Sequence, residues 1–409
     1  MVWNSFKLAL RNVFRNKRRT LLTLASITVG GAAIILVGGY IEYSFWGLRE
    51  STIRSELGHI QYYRQGFNQN GQVAPGKYLL NESDAAAVET FLKSLPEVRA
   101  FSRRLSATGL ISAGEKSLFF FAQGIEPEKE SRISSSVRIL AGSDLFEGDR
   151  YKILVGQGLA DQLQLAVGDR VTLLVTTYSG AINALDFTIS GIMSNGVKAF
   201  DEKIVRMPLP DMQELLSTHA IERIVVLLRN TEQTQLVYGT SQAHFGNQGV
   251  ELKTWEELAD FYQKVKTIYQ NIFRFLNVVI LIVIVLSIIN TMTMSVMERI
   301  SEIGTLRAMG TSRSSIMLLM VLEGFILGVI GGACAMALGC VLALAINVMG
   351  GVYMPPPPGH TIGYMILIKT VPSILGFTMV LSIISAVLSS VFPAIKAAGL
   401  NVVEAIRHV

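Results

Sequence analysis

One glycine-rich segment has the spacing of a nucleotide-binding loop. Residues 71–77 read GQVAPGK and match the GxxxxGK pattern, in which backbone N–H groups and the lysine hold phosphates. In that pattern the next residue is a Ser or Thr whose hydroxyl binds Mg²⁺, but here it is Tyr78, and Pro75 interrupts the loop. We interpret the segment as a turn and expect no ATP or Mg²⁺ to bind to this chain.

Residues suited to thiol or metal chemistry are few. Cys334 and Cys340 lie six residues apart in one apolar run, so on a helix they point in different directions and cannot form a disulfide. The five histidines are scattered and have no zinc-ligand spacing. Acidic residues such as Asp144, Asp149 and Asp169 lie beside Gly or Ser, as in turns. We therefore expect no catalytic site, metal site or cofactor.

A single acidic residue, Glu323, interrupts the apolar run from Ser314 to Met349. An acid in such a run can belong to a proton or ion site. Alternatively, it hydrogen-bonds a neighbouring helix near the cytoplasmic side. No other ionisable residue lies in the apolar segments to form a proton relay, so we favour the second interpretation.

The composition indicates a membrane protein with a large polar part. The chain has 409 residues, of which 50% are hydrophobic and 16% charged, with a mean hydropathy of +0.42. Four segments are long and apolar enough to cross the ~30 Å hydrocarbon core of a bilayer. We predict transmembrane helices at 20–42, 272–297, 314–349 and 370–395.

The N-terminal residues 1–19 predict a basic amphipathic helix on the cytoplasmic face of the membrane. Six basic residues precede the first acid, Glu42. A cleaved signal peptide is the alternative, but the apolar run is longer than a usual signal core and is followed by interfacial aromatic residues. The apolar stripe of this helix consists of Trp3, Phe6, Leu10, Val13 and Phe14.

Residues 43–271 predict a mixed α+β domain of about 230 residues, and a division into two subdomains, the smaller near 141–200, is open. Basic residues cluster before the first span and in the segment 298–313, so we place both termini and this segment in the cytoplasm. The predicted fold is an α-helical membrane protein with four transmembrane helices and a mixed α+β extracytoplasmic domain inserted between helices 1 and 2. An outer loop at 350–369 and a cytoplasmic tail at 396–409 complete it.

One long helix is predicted from Trp255 to Met297, because no Pro or Gly interrupts it. Its first part has an apolar stripe at near-heptad spacing, which we expect to pack as a stalk against the segment after the first span, at Trp46, Ile53 and Leu57. The stalk residues are Leu258, Phe261, Val265, Ile268 and Ile272.

Glycines repeat at every fourth residue in the third apolar segment. Gly324, Gly328 and Gly332 form a GxxxGxxxG pattern, which lets two membrane helices approach closely. The pattern fits a contact within the chain or an interface between subunits, and the spacing does not choose between them.

Two polar stretches and the N-terminus contain recognisable motifs, namely Glu298-Arg299, Glu302 to Gly304, Leu306 to Gly310, Phe392 to Ala398, Val403 to Arg407, Ala9 to Asn12 and Asn16 to Thr20. These motifs resemble those of the MacB, FtsX and LolC/LolE permeases of the type VII ABC transporter group. The resemblance implies that 298–313 is a coupling helix that docks on a cytoplasmic ATPase. Our docking candidates are Glu298, Ile300, Glu302, Ile303, Leu306, Arg307 and Met309.

The resemblance also implies the partners. Two ATPase chains would bind the ATP and Mg²⁺, a second permease chain would complete a homodimer or heterodimer, and a periplasmic adaptor or lipoprotein is a further candidate. No nucleic acid is expected. The tetrapeptide Gly58 to Gln61 is similar to the lipoprotein-release branch.

Three functions remain to be compared. The first is a permease of a bacterial inner membrane that couples ATP hydrolysis by a separate ATPase to movement of its outer domain, for export, extraction or release of a lipoprotein, lipid or peptide. The second is an FtsX-like regulator that activates a cell-wall enzyme. The third is a membrane-anchored binding protein without ATP coupling, which leaves the 298–313 segment unexplained.

Overall fold

The computed structural model describes residues 2–15, 17–71, 74–246, 248–356 and 363–399. These ranges leave out Asn16, Gln72, Val73, part of the 350–369 loop and the tail motif Val403 to Arg407. The helices are α1 (Val2–Arg15), α2 (Lys17–Thr52), α3 (Phe67–Asn70), α4 (Glu82–Ser94), α5 (Pro127–Ile133), α6 (Gln157–Leu163), α7 (Lys198–Asp201), α8 (Leu209–Leu216), α9 (Thr234–Phe245), α10 (Trp255–Leu258), α11 (Asp260–Glu298), α12 (Ile300–Ala308), α13 (Arg313–Val348) and α14 (Pro372–Ala398).

The strands are β1 (Ile60–Arg64), β2 (Val98–Ala113), β3 (Lys116–Ile125), β4 (Arg138–Gly142), β5 (Lys152–Gly156), β6 (Arg170–Thr176), β7 (Ile182–Ser194), β8 (Ile204–Pro208), β9 (Arg223–Leu228), β10 (Val250–Thr254), β11 (Val352–Met354) and β12 (Tyr364–Ile366). The chain divides into two compact units. We call residues 47–264 the sheet unit, and the described parts of 1–46, 265–353 and 365–409 the helical unit.

Six strands of the sheet unit close into a ring in the order β2, β3, β8, β5, β7 and β6, after which β6 pairs back with β2. The pairs β3–β8 and β5–β7 are parallel and the other four are antiparallel. The sixteen-residue strand β2 makes this possible, because its second half pairs with β6 and its first half pairs with β9. Strands β9, β1 and β10 extend the sheet beyond the ring.

The sequence accounts for several of these elements. Asn81 caps α4 by accepting a 2.8 Å hydrogen bond from the Asp84 backbone N–H, as the Asn-Glu-Ser start predicts. The apolar runs at 118–121, 153–155, 171–175, 187–193 and 224–228 all lie in strands. Residues 141–200 contribute β5, β6 and β7 to the same hydrogen-bonded sheet as the rest of the unit.

One face of the sheet carries a buried charged cluster beside a small apolar cluster that includes Ile125, Leu154 and Ile204. Arg104 is fully buried and its Nη2 donates a 2.6 Å hydrogen bond to Glu130 on α5. Arg104 also donates to the backbone carbonyl of Glu56, and Arg206 donates to that of Ser55 at 3.3 Å. Both arginines therefore hold the main chain of a π-helical turn at Ile53–Leu57, where the chain leaves α2.

The tetrapeptide after this turn has a structural role. Gly58 has a φ of +62°, which favours glycine, and a β-carbon there would lie 2.8 Å from the Val226 carbonyl oxygen. His59 Nδ1 accepts a 3.0 Å hydrogen bond from the Leu228 N–H, and Nε2 lies 3.0 Å from the Thr231 hydroxyl. Burial lowers the pKa of His59 to about 4, so the ring is neutral near pH 7.

Four helices are long and apolar enough to cross a membrane: Lys17–Leu57, Tyr262–Glu298, Arg313–Val348 and Pro372–Ala398. The last one continues through Pro393 to Ala398. Proline removes the helical hydrogen bond to the carbonyl four residues earlier, which here is that of Ser389. Ser385, Ser389 and Ser390 donate to the carbonyls of Leu381, Ser385 and Val387, so they add hydrogen bonds to this part of the helix but do not replace the one that Pro393 removes.

The glycine pattern of α13 lies against α14, so the contact is within the chain. A β-carbon at Gly328 would lie 2.8 Å from the Ile383 Cα, and one at Gly324 would lie 2.8 Å from the Ala386 carbonyl oxygen. Gly332 faces Met379 in the same way. These three glycines allow the close approach of two helices.

A second stripe of small residues on α13 lies against α2 and was not identified from the sequence. A β-carbon at Gly331 would lie 2.7 Å from Ile27, and one at Gly339 would lie 3.0 Å from Ile35. Ala335 lies between them and faces Gly31. Helix α13 therefore packs on two neighbours through two different small-residue faces.

The prediction of one unbroken helix from Trp255 to Met297 is wrong. The chain leaves helical geometry at Ala259, with φ −93° and ψ 56°, which separates α10 from α11. A capping box at Thr254 and Glu257 fixes α10, and Trp255 packs edge-on against Tyr262 across the break. Tertiary packing of these two buried aromatic rings overrides the helical pattern.

The stalk stripe is only partly buried. Ile268 and Ile272 are 56% and 48% exposed, and their packing against the segment after the first span stays a prediction. Tyr269 packs edge-on against Phe45 of α2, at 5.8 Å between ring centroids. Leu258 and Val265 are half-buried, and the Phe261 side chain lies outside the described residues.

We predict that Gly328→Ala destabilises the helical unit by about 1–3 kcal/mol, because the new methyl group meets the backbone of α14. Thermal unfolding of the purified chain in mild detergent measures the change. Gly376→Ala is the matched control, since a β-carbon there meets nothing within 4 Å. Equal melting temperatures for the two variants would contradict the proposed contact.

A second prediction concerns acid stability. Burial alone would raise the pKa of Glu130, but Arg104 and Arg206 outweigh it and lower the pKa to about 2. The resulting stability is present above the ordinary pKa of 4.5 and is lost as the pH falls from 4.5 towards about 2. We expect a loss on the order of 3 kcal/mol over that range.

The variant Glu130→Gln tests this origin. It should reduce the loss of stability between pH 4.5 and about 2, because the group that titrates there is removed. It should also lower the stability at neutral pH by roughly 3–5 kcal/mol, because it leaves buried arginines without their partner. Glu128→Gln on the exposed side of the same helix is the control and should keep the wild-type profile. An unchanged acid limb in Glu130→Gln would assign the pH dependence to other groups.

Candidate functional site

The candidate site is the segment between α11 and α13. Helix α11 ends at Glu298, Arg299 is non-helical, and α12 follows from Ile300 to Ala308. Gly310 has a φ of +91°, and the Ser312 hydroxyl caps α13 by accepting a 3.2 Å hydrogen bond from the Ser315 N–H. These local signals make a short helix with turns at both ends.

The inner face of α12 is part of the helical core. Ile303 is 3% exposed and belongs to an apolar cluster with residues of α11, α13 and α14, and Ile300 is 8% exposed. Packing within the chain therefore leaves Ile300 and Ile303 little surface for a partner in this conformation, and their role in docking stays a prediction. The other cluster members are Val296, Ile316, Met320, Ala394 and Ala397.

The outer face and the end of α12 are open. Met309 is 71% exposed, and Leu306 and Arg307 are half-buried. Glu298 and Glu302 are exposed as well. Of the seven predicted docking residues, these five keep surface that a partner can contact.

A buried ion pair connects this segment to α13. Arg299 Nη1 donates a 3.2 Å hydrogen bond to Glu323 Oε1, with side-chain exposures of 9% and 6%. Asn12 of α1 donates a 2.6 Å hydrogen bond to the same oxygen. Glu323 therefore has hydrogen bonds to neighbouring elements, as expected from the interpretation that it hydrogen-bonds a neighbouring helix and does not form a proton or ion site.

Exposed ion pairs join the same elements on the surface. Arg15 Nη2 donates to both carboxylate oxygens of Glu302 at 2.7 Å, and Arg299 Nε donates to Glu302 Oε2 at 3.3 Å. Arg19 pairs with Glu298. The hydrogen bond from Arg15 lowers the pKa of Glu302, so this carboxylate stays charged at neutral pH.

The N-terminal helix α1 packs by one face on the helical unit. Ala9 and Val13 are buried with Leu319 and Leu327 of α13 in one apolar cluster, whereas Leu10 and Phe14 are exposed. One part of the predicted apolar stripe therefore packs on the helical unit, and the other part is exposed. The side chain of Trp3 lies outside the described residues.

Sequence reasoning did not identify Asn12, Arg15, Arg19 and Arg299 as members of this network. A signal was present, because the basic N-terminus and the acids at 298 and 302 are of opposite charge and were both assigned to one side of the membrane. The pairing itself needs the tertiary structure, since nearly 290 residues separate Arg15 from Glu302.

The glycine-rich segment lacks the context of a phosphate-binding loop. Residues Pro75–Lys77 form a single 3₁₀ turn after the short helix α3, whereas a phosphate-binding loop follows a strand and opens a helix. Among the described residues no group of three or more His, Cys, Asp or Glu side chains is placed to hold a metal ion.

We predict that removing one partner of the buried pair, by Arg299→Gln, destabilises the protein by about 3–5 kcal/mol. Arg15→Gln, which breaks the half-exposed pair with Glu302, should cost less than about 1 kcal/mol. Thermal unfolding in detergent compares the two variants. Adding Glu323→Gln to Arg299→Gln should recover part of the lost stability. If the stability changes of the two single variants simply add in the double variant, a direct interaction between the two side chains is excluded.

Family models match both units. The MacB-like periplasmic core domain model matches residues 20–239, and the FtsX-like permease C-terminal model matches residues 274–402. The second match includes the candidate site. Together the two matches cover most of the chain.

Related proteins support the same assignment. An uncharacterized ABC transporter permease of Methanocaldococcus jannaschii is 25% identical over 72% of this chain and 72% of its own length. The lipoprotein-releasing system transmembrane protein LolC of Xylella fastidiosa is 22% identical over 76% and 78%, respectively. The macrolide export ATP-binding/permease protein MacB of Campylobacter jejuni is 23% identical over 98% of this chain and 61% of its own length. The chain belongs to the family of ABC transporter permeases of the MacB, LolC and FtsX type.

Proposed function

We propose that this chain is a permease subunit that transmits the ATP-driven movement of a cytoplasmic ATPase to its outer domain. The segment around α12 is the ATPase contact, and α11 and α2 connect the membrane region to the sheet unit. The observation that carries the proposal is the attachment of α12 to α1 and α13 through the Arg299–Glu323 and Arg15–Glu302 pairs.

This attachment supports force transmission for a physical reason. A load applied to the exposed end of α12 is resisted by a buried ion pair and by the apolar cluster around Ile303. Breaking a buried pair leaves an uncompensated charge, which is costly. The segment therefore moves together with α13 and α1 and does not bend away from them.

We place α12 and both termini on the cytoplasmic side and the sheet unit outside. The basic residues of α1 and the start of α2 support this orientation, because positive charge near span ends favours the cytoplasm. The same residues pair with the acids of the candidate site, so α1 and the ATPase-contacting segment lie on one side of the membrane.

The ATPase is proposed to be a separate chain that is present twice and binds the ATP and Mg²⁺. The MacB relative is named as an ATP-binding/permease protein, and this chain matches 61% of its length. The described part of the glycine-rich segment does not have the context of a nucleotide site. A second permease chain, as a homodimer or heterodimer, completes the proposed transporter.

The proposed work is release, extraction or export of a lipoprotein, lipid or peptide on the outer side. The relative from Xylella fastidiosa, named as part of a lipoprotein-releasing system, supports the choice of this substrate class. Glu323, the acidic residue within the third apolar helix, accepts hydrogen bonds from Asn12 and Arg299. This favours work by the outer domain over passage of a polar substrate between the helices.

The experiment that tests this proposal is an ATPase measurement on the complex purified from native membranes. We predict that Met309→Glu lowers permease-dependent ATPase activity at least about tenfold, because a buried charge at a protein interface costs more than 1.4 kcal/mol. Met349→Glu, at the opposite end of α13 with 83% exposure, is the matched control and should retain the activity.

Both variants should show wild-type thermal stability, since both methionines are exposed in the isolated chain. Co-purification of an ATPase that is lost in Met309→Glu and kept in Met349→Glu supports the proposed contact. If no ATPase accompanies the chain in two different detergents, a membrane-anchored binding protein becomes the better interpretation. Equal activity of the two variants argues that the ATPase binds elsewhere.

A further inference from the structure

An open cleft of 950 Å³ lies on the polar face of the sheet unit, next to the ring of strands. Its described lining comes from the 67–77 loop, the 176–180 turn and the strands β2, β3 and β9. The lining includes a positively charged end with Arg223 and Lys77 and an aromatic part with Phe67, Phe121 and Tyr178. Lys77 is the lysine of the glycine-rich segment.

Arg223 has unused hydrogen-bonding capacity. Its side chain is only 10% exposed, and its buried Nε has no hydrogen-bond partner among the described residues. One amino group donates to Glu222 and, at 3.3 Å, to the Ser106 hydroxyl. An unpaired buried guanidinium N–H is costly, and an anion in the cleft would satisfy it.

The charged side chains that line the Arg223 end of the cleft give it a net positive charge. The Glu222 carboxylate is already occupied by Arg223 and by a 3.0 Å hydrogen bond from the Ser106 N–H. Lys77 is exposed and adds a second cation. Burial raises the pKa of Tyr178 to about 12, so its hydroxyl remains a donor at neutral pH.

An exposed apolar row continues from the cleft across three strands. Leu110 of β2 is paired with Phe119 of β3 on one side and with Leu174 of β6 on the other. Their exposures are 46%, 54% and 37%. Each lies two residues beyond a cleft-lining residue of its strand, namely Thr108, Phe121 and Thr176, and therefore on the same face of the sheet.

The row ends at a polar boundary. Two residues further along the strands, Ser112 and Ser117 are hydrogen-bonded to each other at 3.2 Å. Thr172 donates a 2.6 Å hydrogen bond to Asp186 in the same row. Ser106 and Leu110 are four residues apart on β2, so the distance from the charged end to the apolar row is about 13 Å.

We propose that this cleft binds an anionic amphiphile, with its phosphate or carboxylate head on Arg223 and Lys77 and its acyl chain along Phe119, Leu110 and Leu174. The head satisfies the unpaired Nε and balances the net positive charge. The chain covers apolar surface that is bounded by polar residues at its far end.

An extended peptide fits the surface less well. Strands β2 and β6 have a partner on both sides along the row, and β3 pairs with β8 only from Phe121 to Ile125, so among the described residues a strand edge is left at 116–120 of β3. A peptide that paired with this edge would run along β3, whereas the apolar row runs across the three strands. An acyl chain needs no hydrogen-bond partners along the apolar row. Because the site lies within the sheet unit, its occupancy does not depend on the ATPase contact proposed above.

The test uses the full chain in phosphatidylcholine nanodiscs and a photoreactive diazirine analogue of palmitic acid. Labelled peptides are identified by mass spectrometry. We expect labelling in residues 106–121 and 170–182 of the sheet unit. Laurate and dodecyl phosphate should compete, and the ratio of their potencies identifies the preferred head, whereas dodecyltrimethylammonium and inorganic phosphate should compete at least tenfold more weakly.

Substitutions separate the two ends of the site. Lys77→Gln and Arg223→Gln should each lower labelling about tenfold or more, as expected for loss of a charge-assisted hydrogen bond. Lys93→Gln on α4 is the control: it also neutralises an exposed lysine and should leave labelling unchanged. Leu110→Ser should weaken binding about tenfold, whereas Leu236→Ser, at a leucine of α9 that is also exposed, should not.

The variants Lys77→Gln and Leu110→Ser change exposed side chains, so they test the site even if Arg223→Gln fails to fold. Labelling confined to the transmembrane helices would overturn the proposal. Equal competition by dodecyltrimethylammonium would also overturn it, because the cationic end would then have no role. Labelling that a peptide displaces and laurate does not would assign the cleft to a peptide.

Discussion

The buried pair between Arg299 and Glu323 is the constraint on which the membrane-side arrangement depends. A charge in an apolar helix is tolerated when a partner and further hydrogen bonds satisfy it, and here Asn12 of α1 supplies the additional donor. Three elements far apart in the sequence therefore meet at one carboxylate. Because the pair sits at the start of the α12 segment, it fixes where α12 begins and which of its faces is covered.

The same division between covered and open surface recurs in both units. In the helical unit, α13 uses one small-residue face for α14 and another for α2, which leaves most of α11 outside the close-packed core. In the sheet unit, one face of the sheet packs on the larger apolar core, and the other carries Arg104 and Arg206 beside a smaller apolar cluster, with Glu130 of α5 packed against them. Both units thus combine one tightly packed region with a surface that remains available to partners or ligands.

Local patterns were sufficient for the elements whose signals are local. The four apolar segments, the Asn81 cap and the strands at 153–155 and 171–175 follow from run length, capping and alternation. The burial of Ile300 and Ile303 could not be predicted, because side chains on other helices cover them. The break at Ala259 was missed although the residues around it, the Thr254–Glu257 capping box and the Trp255–Tyr262 pair, are close in the sequence. The hydrogen bonding of Glu323 to a neighbouring helix was expected, but its partners Arg299 and Asn12 were missed, because they come from elements distant from it in the sequence.

The way the two buried arginines hold the Ile53–Leu57 turn has a consequence for sequence variation. Arg104 and Arg206 donate to the main-chain carbonyls of Glu56 and Ser55. A backbone carbonyl is present whatever the side chain, so this part of the attachment does not restrict which amino acids stand at 55 and 56. An aligned set of related permeases should therefore vary more freely at position 55 than at the guanidinium positions, where no other side chain supplies the same forked donor. Position 56 should be more restricted than 55, because the Glu56 carboxylate also accepts a 3.2 Å hydrogen bond from Gln123.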